Sequence, residues 1–462
     1  MKPRPIGKST TEDLFRQRLE NMINMRHEMV VLSHRIDWVS IEKKFAEFYS
    51  DNGRPAHPIR LMVGLHLLKH IHGISDEKVC AQWRENPYWQ YFCGEEYFQH
   101  DGPIARADMT HFRGRVGDES LAFLIEESLR IALSFKALRP KDLERVAVDT
   151  TVQEKAITFP TDSKLLHKAM VKLAALSRKH GVELRQSYVR VSKLHLIKVG
   201  RYRHAKQMGR ALKAEKKLRT YLGRLIRDIE RKIENDSLLR DVFSESLVKA
   251  VRILTQKRED KNKLYSWHAP EVECIGKGKA HKRWEFGCKS SLAINLNPAP
   301  AGHFILHARA LHGSPYDGHT LRFALDDVEK NIGRRPCKAF LDKGYKGYDE
   351  EETEVYITGQ KRGVTKIIRR ELKRRAAIEP IIGHAKHDGL MGRNYLLGIM
   401  GDKINTILAA VGFNFRQILR FLRLLHAFFL LRLVSWKLMQ KIIFEEIKKL
   451  LSIRKTEIIQ IT

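Results

Sequence analysis

Three acidic residues stand where metal-assisted phosphoryl chemistry would need them. Asp149 ends the apolar run RVAVD, and Asp342 ends the apolar run KAFLD. An acid at the carboxyl end of a buried strand reaches the rim of its sheet, where α/β domains place their sites. Glu379 lies further on, in a stretch with helical periodicity, residues 366–394. Ile368 and Leu372 pair at i, i+4, as do Ile378 and Ile382, while Arg369, Arg370, Lys373, Arg374 and Arg375 crowd the remaining surface. Arg375 precedes Glu379 by four positions and Lys386 follows it by seven. Both spacings return to one side of a helix. Carboxylate oxygens suit a hard ion such as Mg²⁺. Two such ions about 3.5–4 Å apart can stabilise the attacking and leaving oxygens of an in-line phosphoryl displacement. The flanking cations could then hold phosphates. Each residue also has a plainer reading, the aspartates as caps or turn residues and the basic stretch as a solvated helix face. Pro380, inside the run, predicts a kink or a helix start beside Glu379.

The elements that must position these acids follow from periodicity. Residues 1–140 read as all helical. Ser9 and Glu12 have capping-box spacing for a helix to about Met29, and Ile41, Phe45 and Phe48 mark a second. Pro58 opens a helix that stops at Gly73, and Ser75 caps the next; the pair has the outline of a helix-turn-helix, shared by any helical hairpin. Asp108 and Asp118 are expected as N-caps of two more. His66, His70 and His72 read as polar-face histidines rather than a metal cluster. After Pro140 the residues 143–160 alternate and are β-branched, which predicts two short strands. Helical pattern returns from Asp162 to about Lys261, with Leu218, Leu222, Leu225 and Ile229 as an apolar seam and Asp236 as a cap. Strands are expected again at 282–296, 303–313, 337–347 and 355–359, with a helix from Gly318 to Glu329.

The chain has 462 residues and a net charge of +31, with no basic tail to account for the excess. A globular chain this basic is matched to a polyanion, nucleic acid first and an anionic membrane surface second. Five cysteines, an odd number without a CxxC, suggest reduced thiols in a cytoplasmic protein. The opening MKPRPIGKSTTEDLF has no apolar stretch, so no signal peptide is expected. Residues 404–447 are the most apolar, but Arg416, Arg420, Arg423, Arg432, Lys437 and Lys441 interrupt them. A span needs roughly 18 uncharged apolar residues. Cys274, Cys288, His268 and His281 lack regular zinc spacing and read as core and loop residues.

Over about residues 55–425 the chain resembles the DDE-class bacterial transposases of the insertion sequence five group. The resemblance rests on VAVDTTV around Asp149, FPTDSKLL at 159–166, EFGCKSSLA at 285–293, FLDKGYKG around Asp342 and RRAAIEPIIGHAKHDGLMGRN around Glu379. HPIRLMVGLHLLKHIHGISDEKV and ADMTHFRGRVG are similar to the family's N-terminal helices, and residues 401–423 to its C-terminal helix. Arg375, Glu379 and Lys386 match the spacing of the superfamily's Tyr-Arg-Glu-Lys signature; Leu372 stands at the tyrosine position, a loss that Tyr345 could offset.

The resemblance implies an α/β ribonuclease H-like catalytic core at 141–400, interrupted at about 161–264 by a basic helical insertion. A helical DNA-binding or dimerisation domain at 1–140 would precede it, and a helical tail at 401–462 would follow. Asp149, Asp342 and Glu379 would be catalytic and hold Mg²⁺, with Mn²⁺ able to substitute. Arg375, Lys386, Arg393 and Asn394 are the DNA-binding candidates. The implied reaction is cleavage at the inverted-repeat ends of an element, then strand transfer into target double-stranded DNA, by a homodimer in a synaptic complex near the nucleoid. Arg416, Arg420 and Arg423 could line a DNA-facing stripe or a solvated face. The insertion at 164–232 could clamp end DNA, and its leucine seam could be a dimer contact. The rivals are a catalytically silent DNA-binding relative and a basic peripheral membrane protein.

Overall fold

The computed structural model describes residues 17–459, apart from 51, 53, 54, 103 and 277–282. The Ser9–Glu12 cap lies outside the described residues. Among the described residues, eight α-helices precede the first strand: α1 (Leu19–Met22), α2 (Glu28–Arg35), α3 (Trp38–Ala46), α4 (Ile59–His72), α5 (Asp76–Glu85), α6 (Pro87–Phe92), α7 (Arg106–Arg115) and α8 (Asp118–Ser134). The expected first helix is broken. Asn24 Oδ1 accepts from Arg26 N–H, and the His27 ring caps α2 by accepting from Met29 N–H. Gly73, in the left-handed region at φ +63°, ends α4, and Ser75 caps α5. Asp108 is three positions into α7, accepting from Ala105 N–H, and Asp118 is the first residue of α8. Neither is the N-cap the sequence suggests, because the chain enters both helices through small residues, Ala105 and Gly117.

The first strand, β1 (Arg145–Glu154), is one long strand rather than two. It continues through Thr151 and Gln153 because the longer β3 (Trp284–Asn295) pairs antiparallel with it, from Val146 opposite Asn295 to Glu154 opposite Gly287. Four helices intervene: α9 (Asp162–Lys179), α10 (Val189–His204), α11 (Met208–Ile233) and α12 (Ser237–Thr255). Next come the short β2 (Glu273–Gly276), β3, β4 (Ile305–Leu311), α13 (Leu321–Ile332), β5 (Lys338–Leu341) and β6 (Glu354–Ile357). The main sheet order is β4-β3-β1-β5-β6, with β2 extending the β3 edge. β3 runs antiparallel to β1 and β4, whereas β5 and β6 run parallel to β1.

The stretch around Glu379 is not a single helix. α14 (Lys366–Arg374) passes through a tight turn at Arg375–Ala377 into α15 (Ile378–His387). Pro380 falls in the first turn of α15, where its missing N–H costs nothing. The last helix, α16 (Gly398–Ile459), is the longest.

One apolar core joins the N-terminal helices, the sheet and α16. Leu61, Leu65 and Leu68 of α4, Leu124 and Leu129 of α8, Val146 and Val148 of β1, and Leu408 and Val411 of α16 all belong to it. Full burial of one such side chain contributes about 1.5–3 kcal/mol. Asn414 stitches α16 to the free edge of β4, accepting from Ile305 N–H at 2.8 Å and donating to Ile305 O at 2.9 Å. The inserted helices hold a second, separate core, and Leu218, Leu222, Leu225 and Ile229 lie inside it. The leucine seam is therefore the spine of a helical bundle and not a dimer contact. Among the described residues, no helix is long and apolar enough to cross a membrane.

Candidate active site

Asp149 and Asp342 come from adjacent parallel strands. Ala147 of β1 pairs with Phe340 of β5, the last parallel pair, so Asp149 lies two residues beyond it and Asp342 just past the end of β5; β1 itself runs on to Glu154 beside β3, so Asp149 falls mid-strand and not at the strand end the sequence suggests. Neighbouring strands are about 4.8 Å apart. Asp342 caps the short turn of helix at Lys343–Tyr345 by accepting from Gly344 N–H at 2.7 Å. That turn drives the Tyr345 ring beneath the rim, fully buried. Burial, with the charges of Asp317, Asp149 and Asp342 around it, pushes the Tyr345 hydroxyl well above its ordinary pKa. Tyr345 thus remains a neutral floor under three carboxylates.

Asp317 is the site residue that sequence reasoning misses. Its Oδ1 lies 2.6 Å from Lys289 Nζ and accepts from Thr150 Oγ1 at 2.9 Å. A β-carbon added to Gly344 would meet Asp317 Oδ2 and Asp342 Oδ1, each at 3.0 Å, so these carboxylates flank the glycine. In the sequence Asp317 sits in SPYDGH, which reads as turn chemistry after a strand. Its only signal is a position at the carboxyl end of the β4 connection.

Glu379 is held to the same rim by Arg375. The Arg375 guanidinium lies 3.3 Å from Asp149 Oδ2 and, through its other terminal nitrogen, 3.7 Å from Glu379 Oε1. Arg375 is nearly buried, while the Glu379 side chain is 67% exposed and faces solvent. The three predicted acids do not converge tightly. Among the described residues, the trio whose ligand atoms all lie within 4.8 Å of one another is Cys288, His312 and Asp402.

The other DNA-binding candidates separate by burial. Exposed Lys366, Arg369, Arg370, Lys373 and Arg374 form the outer face of α14, which buries only Ile368 and Glu371. Lys386 is half-buried, 3.9 Å from Glu285 rather than beside Glu379. Arg393 is exposed and lies over the Tyr395 ring. Asn394 is a correction to the sequence reading: it is 1% exposed, and its amide donates to Asp402 Oδ1 at 2.7 Å. Its carbonyl oxygen accepts from Leu396 N–H, so the side chain is a structural tie within the fold. Arg416 is a second correction. It donates to the carbonyls of His70 and Ile71 at the end of α4 and of Asp388, complementing that helix terminus. Arg423 pairs with Glu28 at 2.7 Å, and Arg420 is exposed.

His66 and His70 are not on a polar face either; both are 1% exposed in the α4 core. Burial, helped by Arg113, pushes His66 down to about 3. Of the four residues without regular zinc spacing, Cys274 lies beside Tyr265, His268 faces Ser266, Cys288 lies 3.5 Å from His312, and His281 lies outside the described residues. The inserted bundle carries exposed Lys164, Lys168, Lys172, Lys213, Lys216 and Lys217, an electropositive surface over its apolar core.

Comparison with known proteins adds two findings. Residues 17–115 match a family model described as a transposase domain (DUF772). A Rhizobium meliloti protein described as "Uncharacterized protein ORF8 in nfe locus" is 51% identical over 199 residues, 43% of this chain and 96% of that protein. No solved structure matches.

Proposed function

We propose that this chain, whose residues 17–115 match a transposase-domain family, is a DDE-type transposase whose site is the rim bearing Asp149, Asp342, Asp317 and Glu379. The observation that carries the reading is that Asp149 and Asp342 both follow the last parallel pair of β1 and β5, with Arg375 between Asp149 and Glu379. Strand order β4-β3-β1-β5-β6, with β3 alone reversed, supports a ribonuclease H-like core.

The donor set fits Mg²⁺: every candidate ligand is a hard carboxylate oxygen, and a cation already stands between two of them as the Arg375 guanidinium. Asp149, Asp342 and Glu379 would hold the ion, the exposed Glu379 exchanging its Arg375 contact for it. A bound ion would supply charge stabilisation to the displaced and attacking oxygens. The chain's own residues do the rest. Tyr345 floors the site, Lys289 and Thr150 fix Asp317, and the cations of α14 track the DNA backbone. Water and then a freed 3′-hydroxyl act as nucleophiles, so no side-chain nucleophile is needed. The substrates are the element's inverted-repeat ends and target duplex, handled in the bacterial cytoplasm by a homodimer.

The test is a duplex carrying the DNA that flanks the gene, incubated with Mg²⁺. The wild-type chain nicks at the repeat boundary, and Asp149→Ala does not. Binding without a nick, in Mg²⁺ and Mn²⁺ alike, would instead make the chain a silent DNA-binding relative.

A further inference from the structure

Gln153 lies four residues beyond Asp149 on β1, hence on the same face of the sheet, and pairs with Cys288 of β3. Around Cys288 the fold gathers a polar cluster that the transposase reading leaves unused. Cys288 Sγ is 3.5 Å from His312 Nε2, and that nitrogen is 3.8 Å from Asp402 Oδ2. His312 follows β4 directly, and Asp402 sits in the opening turns of α16. We propose that Cys288 Sγ, His312 Nε2 and Asp402 Oδ2 bind a zinc-class divalent transition metal ion, distinct from the hard-ion site at the rim and independent of the transposase reading.

Three observations carry this. The first is geometric. Zinc bonds of about 2.0–2.3 Å at tetrahedral angles place ligand atoms about 3.2–3.8 Å apart; both distances from His312 Nε2 have that spacing, and all three ligand atoms lie within 4.8 Å of one another. The second is an orphaned anion. Asp402 is 1% exposed; its Oδ1 is engaged by Lys155 at 2.8 Å and Asn394 at 2.7 Å, while its Oδ2 has no hydrogen-bond partner. Lys155 is also claimed by Glu271 at 2.8 Å, so one cation serves two buried carboxylates and a further positive charge is wanted at Oδ2. The contacts of the Cys288 thiol, to the His312 ring and to the carbonyl oxygens of Lys289 and Leu311, leave Asp402 Oδ2 without a hydrogen bond. The third is an outer carboxylate. Glu273 Oε1 lies 3.8 Å from His312 Nδ1 and is fixed by Gly313 N–H at 2.6 Å. Carboxylates placed behind metal-bound histidines orient the ring in this way.

The donor chemistry selects the ion. Thiolate and imidazole favour zinc over magnesium. Cys288 gives up its thiol proton to solvent as the ion binds, so binding strengthens with pH. Partly exposed His312 opens the cluster to solvent, which leaves a fourth position for water. The ion would pin β3, the end of β4 and the start of α16 together.

Cobalt(II) titration of the full chain, purified without metal-affinity resin, tests the proposal. The expected result is one equivalent bound with a thiolate-to-cobalt absorption band, which zinc abolishes by displacement. Cys288→Ser removes the band, Asp402→Asn weakens binding by at least about a hundredfold, and Glu273→Gln by about tenfold. Asp149→Ala retains the band in full. If Cys288→Ser does not fold, the more exposed His312→Gln gives the same comparison. Absence of the band in the wild type, its persistence in the Cys288 or His312 variant, or its loss in Asp149→Ala would overturn the proposal.

Discussion

Strand β1 and Lys155, the residue that follows it, hold two ionic clusters that differ chiefly in access. At Asp149 the acids follow the last parallel pair of β1 and β5, with Arg375 reaching across to a solvent-facing Glu379. At Lys155 the ammonium is 3% exposed, locked between Glu271 and Asp402. Similar charges thus serve opposite ends. The open cluster leaves carboxylates able to exchange a protein cation for another partner. The sealed cluster has no such freedom, and breaking it leaves an uncompensated buried charge. Substitutions should therefore separate into those that remove chemistry and those that remove stability.

The largest expected effect is at the open cluster. Asp342→Ala should lower the rate of end cleavage by at least about a thousandfold, about 4 kcal/mol of barrier. Its urea midpoint should stay close to wild type. Lys155→Met should do the reverse: unfolding free energy falls by about 3 kcal/mol, because Glu271 and Asp402 lose their shared cation. A Lys155→Met protein as stable as wild type would erase the distinction drawn here.

The N-terminal helices extend the sealed class and give it a pH signature. Buried His66, beside Arg113, has its pKa pushed down to about 3. The unfolded chain binds this proton near pH 6.5, so the group's contribution is complete above about pH 6.5 and is lost as pH falls from there toward 3. Urea unfolding at pH 6.5 and pH 5 should differ by about 2 kcal/mol from this group, and His66→Gln should shrink the difference. The smallest effect belongs to the open surface of α14. Replacing Lys366, Arg369, Arg370 and Lys373 with Gln should reduce the salt dependence of DNA binding by about 0.9 in log–log slope per lost phosphate contact. Fold stability should be unchanged.

How much the sequence discloses follows the same division. Asp149 and Asp342 are legible because each ends a continuous apolar run, the mark of a strand buried on both faces. The inserted helices and Pro380 are legible from periodicity and backbone chemistry. Asp317 is not, since its turn setting hides a carboxylate that only tertiary folding brings beside Gly344. Arg416 and Arg423 share a helix spacing that cannot tell a carbonyl-capping arginine from a surface one; the approach of α4 decides. Asn394 reads as a DNA-binding candidate until Asp402, eight residues on, is packed against it. The leucine seam has the pattern of an interface, and the partner turns out to be the insertion's own helices.

The most direct test of the central claim uses strand transfer, which a general nuclease does not perform. An oligonucleotide duplex ending in the element's repeat, with its 3′-hydroxyl already exposed, is incubated with supercoiled target plasmid and Mg²⁺. The account predicts covalent joining by the wild-type chain and none by Asp149→Ala, Asp342→Ala or Glu379→Ala, with DNA binding retained in all three. Joining that survives these substitutions, or a wild-type chain that binds the end and never joins it, would contradict the account.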